Sequence, residues 1–416
     1  MEERGHLLPF PQAPDGVELR HLRAFVAVAE ELNFSRAADR LYVSQPALSR
    51  QIRGLEQVVG CQLLKRSTHQ VELTVAGEAL LERSRKLLHD VDEAVSAALA
   101  VGGEHLARIA RLLDPVRDLI TEQAVSTDLQ EVRDAFESLQ AQLAPPPGSY
   151  VRPVTAGGVQ SLVVSPAADS RPTVLYLHGG AYIVGSAFGY RSHAGALAVA
   201  AQTGVLVPDY RLAPEHPFPA ALEDGLCAYR WLIGRGMPSE QVVLAGDSSG
   251  AGLVMSLLLT LKQEHAEMPG AAVLFCPWLD LGQRLPVGSH TSMATVPSSD
   301  EARLCAHAYL ADHPVNDPIV DPLSADLTGL PPLLIQAATG DARIADAKAL
   351  AIRAREHGVD ARLELFPVDA HAFQLFWSFL PEAADAIDIA GSSIHEMQSV
   401  SMKSGPQRAS ASSRAR

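Results

Sequence analysis

The 416-residue sequence contains no uninterrupted apolar run close to the roughly 20 residues that a membrane-spanning helix needs, so no transmembrane segment and no membrane partner are expected. The first ten residues lack the apolar stretch of a secretory signal peptide. The sequence has only four cysteines, far apart and without a C-x-x-C pair, which argues against a zinc site and a disulfide framework. We therefore expect a cytoplasmic protein with reduced thiols and no bound metal.

The chain length exceeds what one hydrophobic core usually organises, and it predicts one small and one large domain. The net charge is −14, but residues 32–71 carry six Lys/Arg against two Asp/Glu, a net charge of +4. A basic segment of this kind is typical of a surface that faces nucleic-acid phosphates. Because the acidic remainder would repel DNA, only the small domain is expected to bind it.

The small domain shows the pattern of a helix-turn-helix. Apolar residues recur at three- and four-residue spacing between residues 18 and 30, which predicts a helix with one buried face. Asn33 and Ser35 supply capping side chains for a second helix over residues 35–42. Ser44 can cap a third helix, whose inward-facing residues are expected to be Leu48, Ile52, Leu55 and Val59.

The outward face of the third helix is polar and basic, as a helix in a DNA major groove requires. Gln45, Ser49 and Arg50 are candidates for contacts to base edges, because Gln and Arg form paired hydrogen bonds to adenine and guanine. Phosphate contacts are expected from Arg53, Lys65 and Arg66. Ser44 is expected to serve both as helix cap and as phosphate ligand.

Residues 61–74 contain two apolar stretches around a polar turn and predict a small β-wing, after which a long helix begins. The long helix has an apolar stripe larger than a small domain can cover: Leu80, Leu81, Leu87, Leu88, Val91 and Val95.

Residues 18–95 resemble the winged helix-turn-helix of LysR-type transcriptional regulators in N-F-S-R-A-A-D-R-L, V-S-Q-P-A-L-S-R-Q-I-R-G-L-E, G-C-Q-L-L-K-R and L-T-V-A-G. The resemblance implies binding of double-stranded DNA by a homodimer joined through the long helix. A packing module that no longer touches DNA is the alternative.

After the break A-P-P-P-G-S-Y, short apolar runs alternate with helical segments. Six runs are expected as strands: residues 173–178, 204–210, 241–246, 271–277, 331–338 and 361–367. The alternation predicts a mostly parallel sheet with helices on both faces and an active site at the carboxyl ends of its strands. The predicted fold is therefore multidomain: an α-rich winged helix-turn-helix followed by an α/β domain.

The third of these runs leads through G-D-S-S-G directly into a helical pattern. Glycines allow the sharp strand-to-helix turn that lifts the Ser248 hydroxyl out of the sheet, which predicts Ser248 as a nucleophile. A simple helix cap is the alternative role of Ser248. The first run ends in H-G-G-A-Y, where we expect the N–H groups of Gly179 and Gly180, with that of Ser249, to form an oxyanion hole. His178 is expected to support this loop rather than to act as a base.

An acid and a base should follow the nucleophile in that order. His371, in the loop after the last predicted strand, is expected to take the Ser248 proton, and Asp341 is expected to hold its imidazole ring. Asp346 and Asp369 are rival acids: Asp346 lies a helical turn further on, and Asp369 is too close in sequence to reach His371 from the opposite side.

Residues 105–395 resemble the hormone-sensitive-lipase-like branch of α/β-hydrolases, through H-G-G-A-Y, D-Y-R-L-A-P-E-H-P-F-P-A-A-L-E-D, G-D-S-S-G, D-P-L-S-A-D-L-T-G-L-P-P-L-L-I-Q and H-A-F-Q-L-F. The resemblance implies hydrolysis of short-acyl carboxylic esters without a cofactor or metal, beneath a cap formed by helices at residues 104–144. The acid loop departs from the family, because T-G-D-A-R-I-A-D-A stands where bulky apolar residues and paired acids are usual. Reduced activity is therefore expected.

The expected boundaries are a flexible N-terminus over 1–17, a DNA-binding domain over 18–76, a linker and dimerisation helix over 77–103, a hydrolase domain over 104–398 and a disordered tail over 399–416. The retained nucleophile, base and acid predict an active esterase fused to a DNA-binding regulator, whose small ester substrate influences promoter binding. One alternative is a transcription factor whose hydrolase-like domain only senses a small ester or lactone. Another is a fusion whose halves act independently.

Overall fold

The computed structural model describes residues 17–285 and 299–404, apart from residues 42, 44, 67–70, 102–103 and 123–128. The chain forms two compact units, Met1–Ser96 and Ala97–Arg416. Within the described residues, no helix combines the length and the apolar character needed to cross a bilayer.

The first unit contains the predicted helices and wing. Its elements are α1 (Leu19–Glu31), α2 (Phe34–Arg40), α3 (Gln45–Val59), β1 (Leu64–Arg66), β2 (Val71–Leu73) and α4 (Val75–Val101). The Asn33 side chain accepts hydrogen bonds from the N–H groups of Ser35 and Arg36, so it caps α2 as the sequence predicted. β1 and β2 pair antiparallel and form the wing.

The core of the first unit lies between α1, α2 and α3. Leu48, Ile52 and Leu55 of α3 are buried, as predicted. The prediction for Val59 was wrong, because its side chain is 41 % exposed. Val59 is the last residue of α3, where the helix ends and Gly60 follows with a left-handed backbone conformation (φ 77°).

The second unit is built on an eight-stranded sheet. Its strands are β3 (Tyr150–Ala156), β4 (Val159–Ser165), β5 (Pro172–Leu177), β6 (Gly204–Pro208), β7 (Val243–Asp247), β8 (Ala271–Phe275), β9 (Leu333–Ala338) and β10 (Ala361–Phe366), in the spatial order β10-β9-β8-β7-β5-β6-β4-β3. All six predicted strands are present, and they pair parallel with one another. β3 and β4 pair antiparallel with each other, and β3 forms the edge of the sheet. Neither strand was predicted; most of β3 is exposed, whereas most of β4 is buried.

Helices cover both faces of this sheet. They are α5 (Glu104–Glu122), α6 (Leu129–Ala141), α7 (Arg191–Ala200), α8 (Ala220–Gly234), α9 (Ser249–Gln263), α10 (Ser299–Leu310), α11 (Ile344–Glu356) and α12 (Pro381–Ser404). Buried residues of α8, α9, α10 and α11 form one core with the sheet, and those of α7 and α12 form a second core on the opposite face. The sheet is therefore a buried central layer, as its continuous apolar strands require.

Two predicted boundaries fall inside helices. α12 continues to Ser404, so the tail expected from residue 399 begins within this helix. The boundary expected between residues 76 and 77 lies in the first turn of α4. The predicted helical segment at residues 104–144 corresponds to α5 and α6. Residues 1–16 and 405–416, where flexible ends were expected, lie outside the described residues.

Candidate active site and nucleic-acid interface

Ser248 occupies the sharp turn between β7 and α9. Its backbone has φ 50° and ψ −119°, a conformation that residues with a side chain rarely adopt and that is typical of functional sites. Gly250 allows this turn to pack tightly, since a Cβ atom there would lie 2.1 Å from the carbonyl oxygen of Leu177. The tight turn between β7 and α9 therefore requires the G-x-S-x-G sequence, and this turn places the serine hydroxyl at the carboxyl ends of the parallel strands.

Three of the predicted residues meet in one hydrogen-bonded chain. The Ser248 Oγ atom lies 2.8 Å from Nε2 of His371. The Nδ1 atom of His371 lies 2.9 and 3.0 Å from the two carboxylate oxygens of Asp341. His371 and Asp341 are almost fully buried, at 5 % and 2 % exposure, whereas Ser248 is half-buried. The arrangement can move a proton from the hydroxyl to the imidazole while the carboxylate fixes the ring.

The rival acids have other positions. The Asp346 carboxylate accepts hydrogen bonds from the backbone N–H groups of Leu279 and Asp280 at 2.7 and 2.9 Å, so it fixes the loop after β8. Asp369 packs against Gly340, whose added Cβ would lie 2.6 Å from an Asp369 oxygen. The Asp341 carboxylate, in contrast, lies 2.9 and 3.0 Å from Nδ1 of His371.

One predicted oxyanion-hole donor was wrong. The Gly179 N–H donates to the Asp247 carboxylate at 2.8 Å and is not free to bind a substrate oxygen. The next two amides, those of Gly180 and Ala181, have no hydrogen-bond acceptor among the described residues, and both residues have positive φ angles of 112° and 52°. With the N–H of Ser249 at the start of α9, they are the donors that the structure leaves available.

Asp247 is a functional residue that the sequence reasoning missed. Its buried carboxylate accepts hydrogen bonds from Gly179 N–H, from Tyr176 at 2.7 Å and from Tyr190 at 3.1 Å. Burial raises the pKa of this carboxyl, while the three donors act in the opposite direction. Asp247 thereby fixes the oxyanion loop to the nucleophile turn. An acidic residue at the end of a fully buried strand was the signal that could have identified it.

His178 supports the same loop, as the sequence predicted. Its ring stacks between Tyr210 and Tyr190, with centroids 4.2 and 5.1 Å away. Its Nδ1 atom lies 2.7 Å from the Gly179 carbonyl oxygen. Burial lowers the pKa of His178 to about 4, so the ring is neutral at pH 7 and is suited to packing rather than to proton transfer.

Two further contacts tie neighbouring segments to the site. Arg211 forms a paired salt bridge with Asp224, which holds the loop between β6 and α8. Arg133 of α6 donates to the carbonyl oxygen of Ile183 and pairs with Glu215. α6 therefore packs against the loop that carries the oxyanion donors.

Cys276, Asp341 and His371 offer potential metal-ligand atoms within 4.8 Å of one another, the one such group found in the described part of the chain. Asp341 and His371 already hydrogen-bond each other, and burial raises the pKa of the Cys276 thiol, which keeps it protonated. A metal ligand must be a thiolate, so this group fits a metal poorly.

The first unit presents part of the predicted DNA-contacting set on its surface. Gln45, Arg50 and Arg53 of α3 are exposed and Ser49 is half-buried. Lys65 is exposed on β1, and Arg66 ends that strand. Ser44 lies outside the described residues.

Some basic side chains of residues 32–71 form ion pairs with acidic residues and others do not. Arg36 pairs with Glu31, and Arg40 pairs with Glu30 at 2.8 Å. Arg50, Arg53 and Lys65 have no ion-pair partner among the described residues. The cations of the basic segment without an ion-pair partner in the described residues therefore lie on α3 and β1.

Comparison with known proteins finds a family match for each of the two units. A model described as the α/β hydrolase fold matches residues 174–375, and one for the bacterial regulatory helix-turn-helix proteins of the lysR family matches residues 19–78. An acetyl-hydrolase of Streptomyces hygroscopicus is 38 % identical over 287 residues, which cover 67 % of this chain and 94 % of that protein.

Two other relatives extend this result. The crystal structure of an esterase from the bacterial hormone-sensitive lipase family superposes with a TM-score of 0.62 and 34 % identity, covering 69 % of this chain and 98 % of that one. The uncharacterised HTH-type transcriptional regulator YnfL of Escherichia coli K12 is 57 % identical over 82 residues, which cover 20 % of this chain and 28 % of that protein. The chain therefore belongs to the hormone-sensitive-lipase family of α/β-hydrolases, with a lysR-family helix-turn-helix domain ahead of the hydrolase.

Proposed function

We propose that the second unit is a serine carboxylic-ester hydrolase in which Ser248 is the nucleophile, His371 the general base and acid, and Asp341 the residue that orients the imidazole. The observation that carries this proposal is the hydrogen-bonded chain from the Ser248 hydroxyl through His371 to the Asp341 carboxylate. The full set in one geometry favours turnover, since a domain that only bound esters would not need a base beside the hydroxyl.

In the proposed reaction, His371 takes the Ser248 proton as the serine oxygen attacks the ester carbonyl carbon. The carbonyl oxygen becomes an oxyanion, which the N–H groups of Gly180, Ala181 and Ser249 stabilise, at roughly 3 kcal/mol per donor. His371 then gives its proton to the leaving alcohol, and an acyl-serine remains. Water activated by the same imidazole releases the acid and restores the serine.

Acetyl-hydrolases and esterases among the relatives support short-acyl esters as substrates. The test is the hydrolysis of p-nitrophenyl acetate and butyrate by the full chain, by Ser248→Ala and by a control, Ser392→Ala, at an exposed position on α12. We expect Ser248→Ala to lose at least about 10³-fold in kcat and the control to match the wild type. Wild-type turnover by Ser248→Ala would refute the assignment.

For the first unit, we propose sequence-specific binding of double-stranded DNA by a cytoplasmic homodimer that regulates transcription. Gln45, Ser49 and Arg50 would contact base edges. Phosphates would be held by Ser44, Arg53, Lys65 and Arg66. The lysR-family match and the unpaired cations on α3 and β1 support this role.

Leu87 of α4, whose side chain is 51 % exposed, lies on the predicted dimerisation stripe and supports a second copy of the chain as the partner. Sedimentation of the full chain should give the dimer mass, and Leu87→Glu should shift it toward the monomer. DNA binding is tested with duplexes selected from a random-sequence library: Arg50→Ala should weaken binding while esterase activity stays unchanged. Equal affinities of Arg50→Ala and the wild type would contradict the assignment.

The fusion of the two units favours a second possibility, that the hydrolase domain also senses its ester for the DNA-binding domain. Ser248→Ala separates binding from turnover. If an ester changes the DNA affinity of Ser248→Ala, the ester acts as an effector. If neither the ester nor its products change the affinity of the wild type, the units act independently.

A further inference from the structure

Arg343 is a buried arginine on the loop of the proposed acid. Its side chain is 4 % exposed, a degree of burial that is rare for arginine. Its backbone N–H donates to the Asp341 carboxylate at 2.8 Å, and its guanidinium carbon lies 5.2 Å from the centre of the Trp278 ring. Trp278 in turn donates its backbone N–H to the carbonyl oxygen of Ser248. The guanidinium therefore lies between the acid loop and a residue that contacts the nucleophile.

The Arg343 Nε–H is fully buried and has no hydrogen-bond acceptor among the residues that the structure describes. Burial lowers the pKa of the guanidinium, against the opposite effect of three carboxylates, those of Asp346, Asp341 and Asp280. Each of these carboxylates accepts hydrogen bonds from other groups. A buried donor of a charged group without an acceptor is costly, and the cost is relieved only when another molecule supplies the acceptor.

Two more unused donors belong to the same packed cluster. Trp278 Nε1 and the Tyr309 hydroxyl are buried without a hydrogen-bond partner in the described residues. The ring of Tyr182, which directly follows the oxyanion loop residue Ala181, stacks on Tyr309 at 3.7 Å and lies 6.1 Å from the Trp278 ring. The residues that carry these donors thus contact segments of the site: Trp278 contacts the nucleophile turn through its backbone, Tyr309 stacks on the residue after the oxyanion loop, and Arg343 lies beside Trp278.

We propose that Arg343, Trp278 and Tyr309 form a substrate subsite for a carboxylate carried by the ester. The preferred substrates are then half-esters of dicarboxylic acids or acylated hydroxy acids rather than neutral esters. A carboxylate offers two oxygens that match the planar fork of a guanidinium and have lone pairs left for neutral donors. The inference rests on the esterase function proposed above and adds its substrate class.

The test compares esters that differ only in a terminal carboxylate. Monoethyl glutarate is matched by ethyl pentanoate, with the charge on the acyl side, and 4-acetoxybutanoate is matched by butyl acetate, with the charge on the alcohol side. Hydrolysis is followed by acid release at constant pH. In at least one pair we expect a kcat/KM ratio of about tenfold or more in favour of the charged ester, the gain that one charge-assisted hydrogen bond gives.

Arg343→Met should bring this ratio to about one, mainly by raising KM for the charged ester. Arg343→Lys, which keeps the charge but loses the fork, should retain part of the preference. Lys348→Met removes one positive charge from an exposed position on α11 and should leave the ratio unchanged.

A wild-type ratio at or below one in both pairs, with rapid hydrolysis of neutral esters, would overturn the subsite and leave the esterase proposal standing. An equal loss of activity of Arg343→Met on charged and neutral esters would also overturn it, since the arginine would then only support the acid loop. Failure of the wild type to hydrolyse any of the four esters would instead refute the proposed function.

Discussion

Gly250 provides a quantitative test of how the nucleophile turn is packed against the oxyanion loop. A Cβ atom at this position would lie 2.1 Å from the Leu177 carbonyl oxygen and 2.4 Å from that of His178. Carbon and oxygen normally approach to about 3.3 Å in such contacts, so Gly250→Ala forces a displacement of about 1 Å. Both obstructing atoms belong to the backbone where β5 enters the oxyanion loop, and neither can rotate away as a side chain would.

The expected cost has two parts. Overpacking of a core costs roughly 1–3 kcal/mol, and the upper end applies here because two backbone segments must separate. Activity should fall by about 10²-fold or more, because the donors of Gly180 and Ala181 lie just beyond the displaced carbonyls, and a misplacement of about 1 Å is costly in catalysis. Gly250→Ala should therefore be impaired in both stability and turnover.

The assay is urea unfolding of the purified chain combined with the kcat for p-nitrophenyl butyrate. Gly234→Ala is the matched control, because nothing lies within 4 Å of a Cβ at this last residue of α8. It should stabilise the protein by about 0.5–1 kcal/mol with an unchanged kcat. The reasoning fails if Gly250→Ala equals Gly234→Ala in both measurements.

Three further results are expected. Asp341→Asn should lower kcat on the order of 10³-fold or more, because the imidazole loses its orienting carboxylate, and a loss under tenfold would argue for another acid. Burial lowers the pKa of His193 from 6.5 to about 4, so between these values the unfolded chain binds a proton that the folded chain does not. The free energy of unfolding should therefore fall as the pH drops from 6.5 to 4, and His193 alone should account for about 3 kcal/mol of this fall. In His193→Gln, the free energy of unfolding measured in urea should depend less on pH over this range. An unchanged pH dependence would show that the His193 ring does not titrate as described. Arg53→Ala should reduce the slope of log DNA affinity against log salt concentration by about one released counterion. Arg36→Ala should leave this slope unchanged, because the Arg36 guanidinium is already paired with Glu31. Identical slopes for the two variants would refute the distinction between paired and unpaired arginines.

Much of the architecture could be predicted from the sequence because it depends on local patterns. Buried parallel strands are continuous apolar runs, so six of the eight strands of the large sheet were identified from the sequence pattern. β3 and β4 were not: β3 is an exposed edge strand without a continuous apolar run, and Gln160 and Ser161 interrupt the apolar residues of β4 although most of that strand is buried. Helix ends were less accurate, as the continuation of α12 to Ser404 illustrates.

The sequence by itself determined which chemical groups are present and their order along the chain: the serine within glycines, then the acid, then the histidine, with a recognition helix and wing before them. Only the tertiary structure decided how these groups are used, because hydrogen-bond partners come from distant segments. Gly179 cannot serve as the predicted oxyanion-hole donor, because its N–H donates to the buried carboxylate of Asp247, 68 residues away in sequence. For the same reason, the lack of an acceptor for Nε of Arg343 among the described residues became visible only in the folded chain, where the loop after β9 lies beside Trp278.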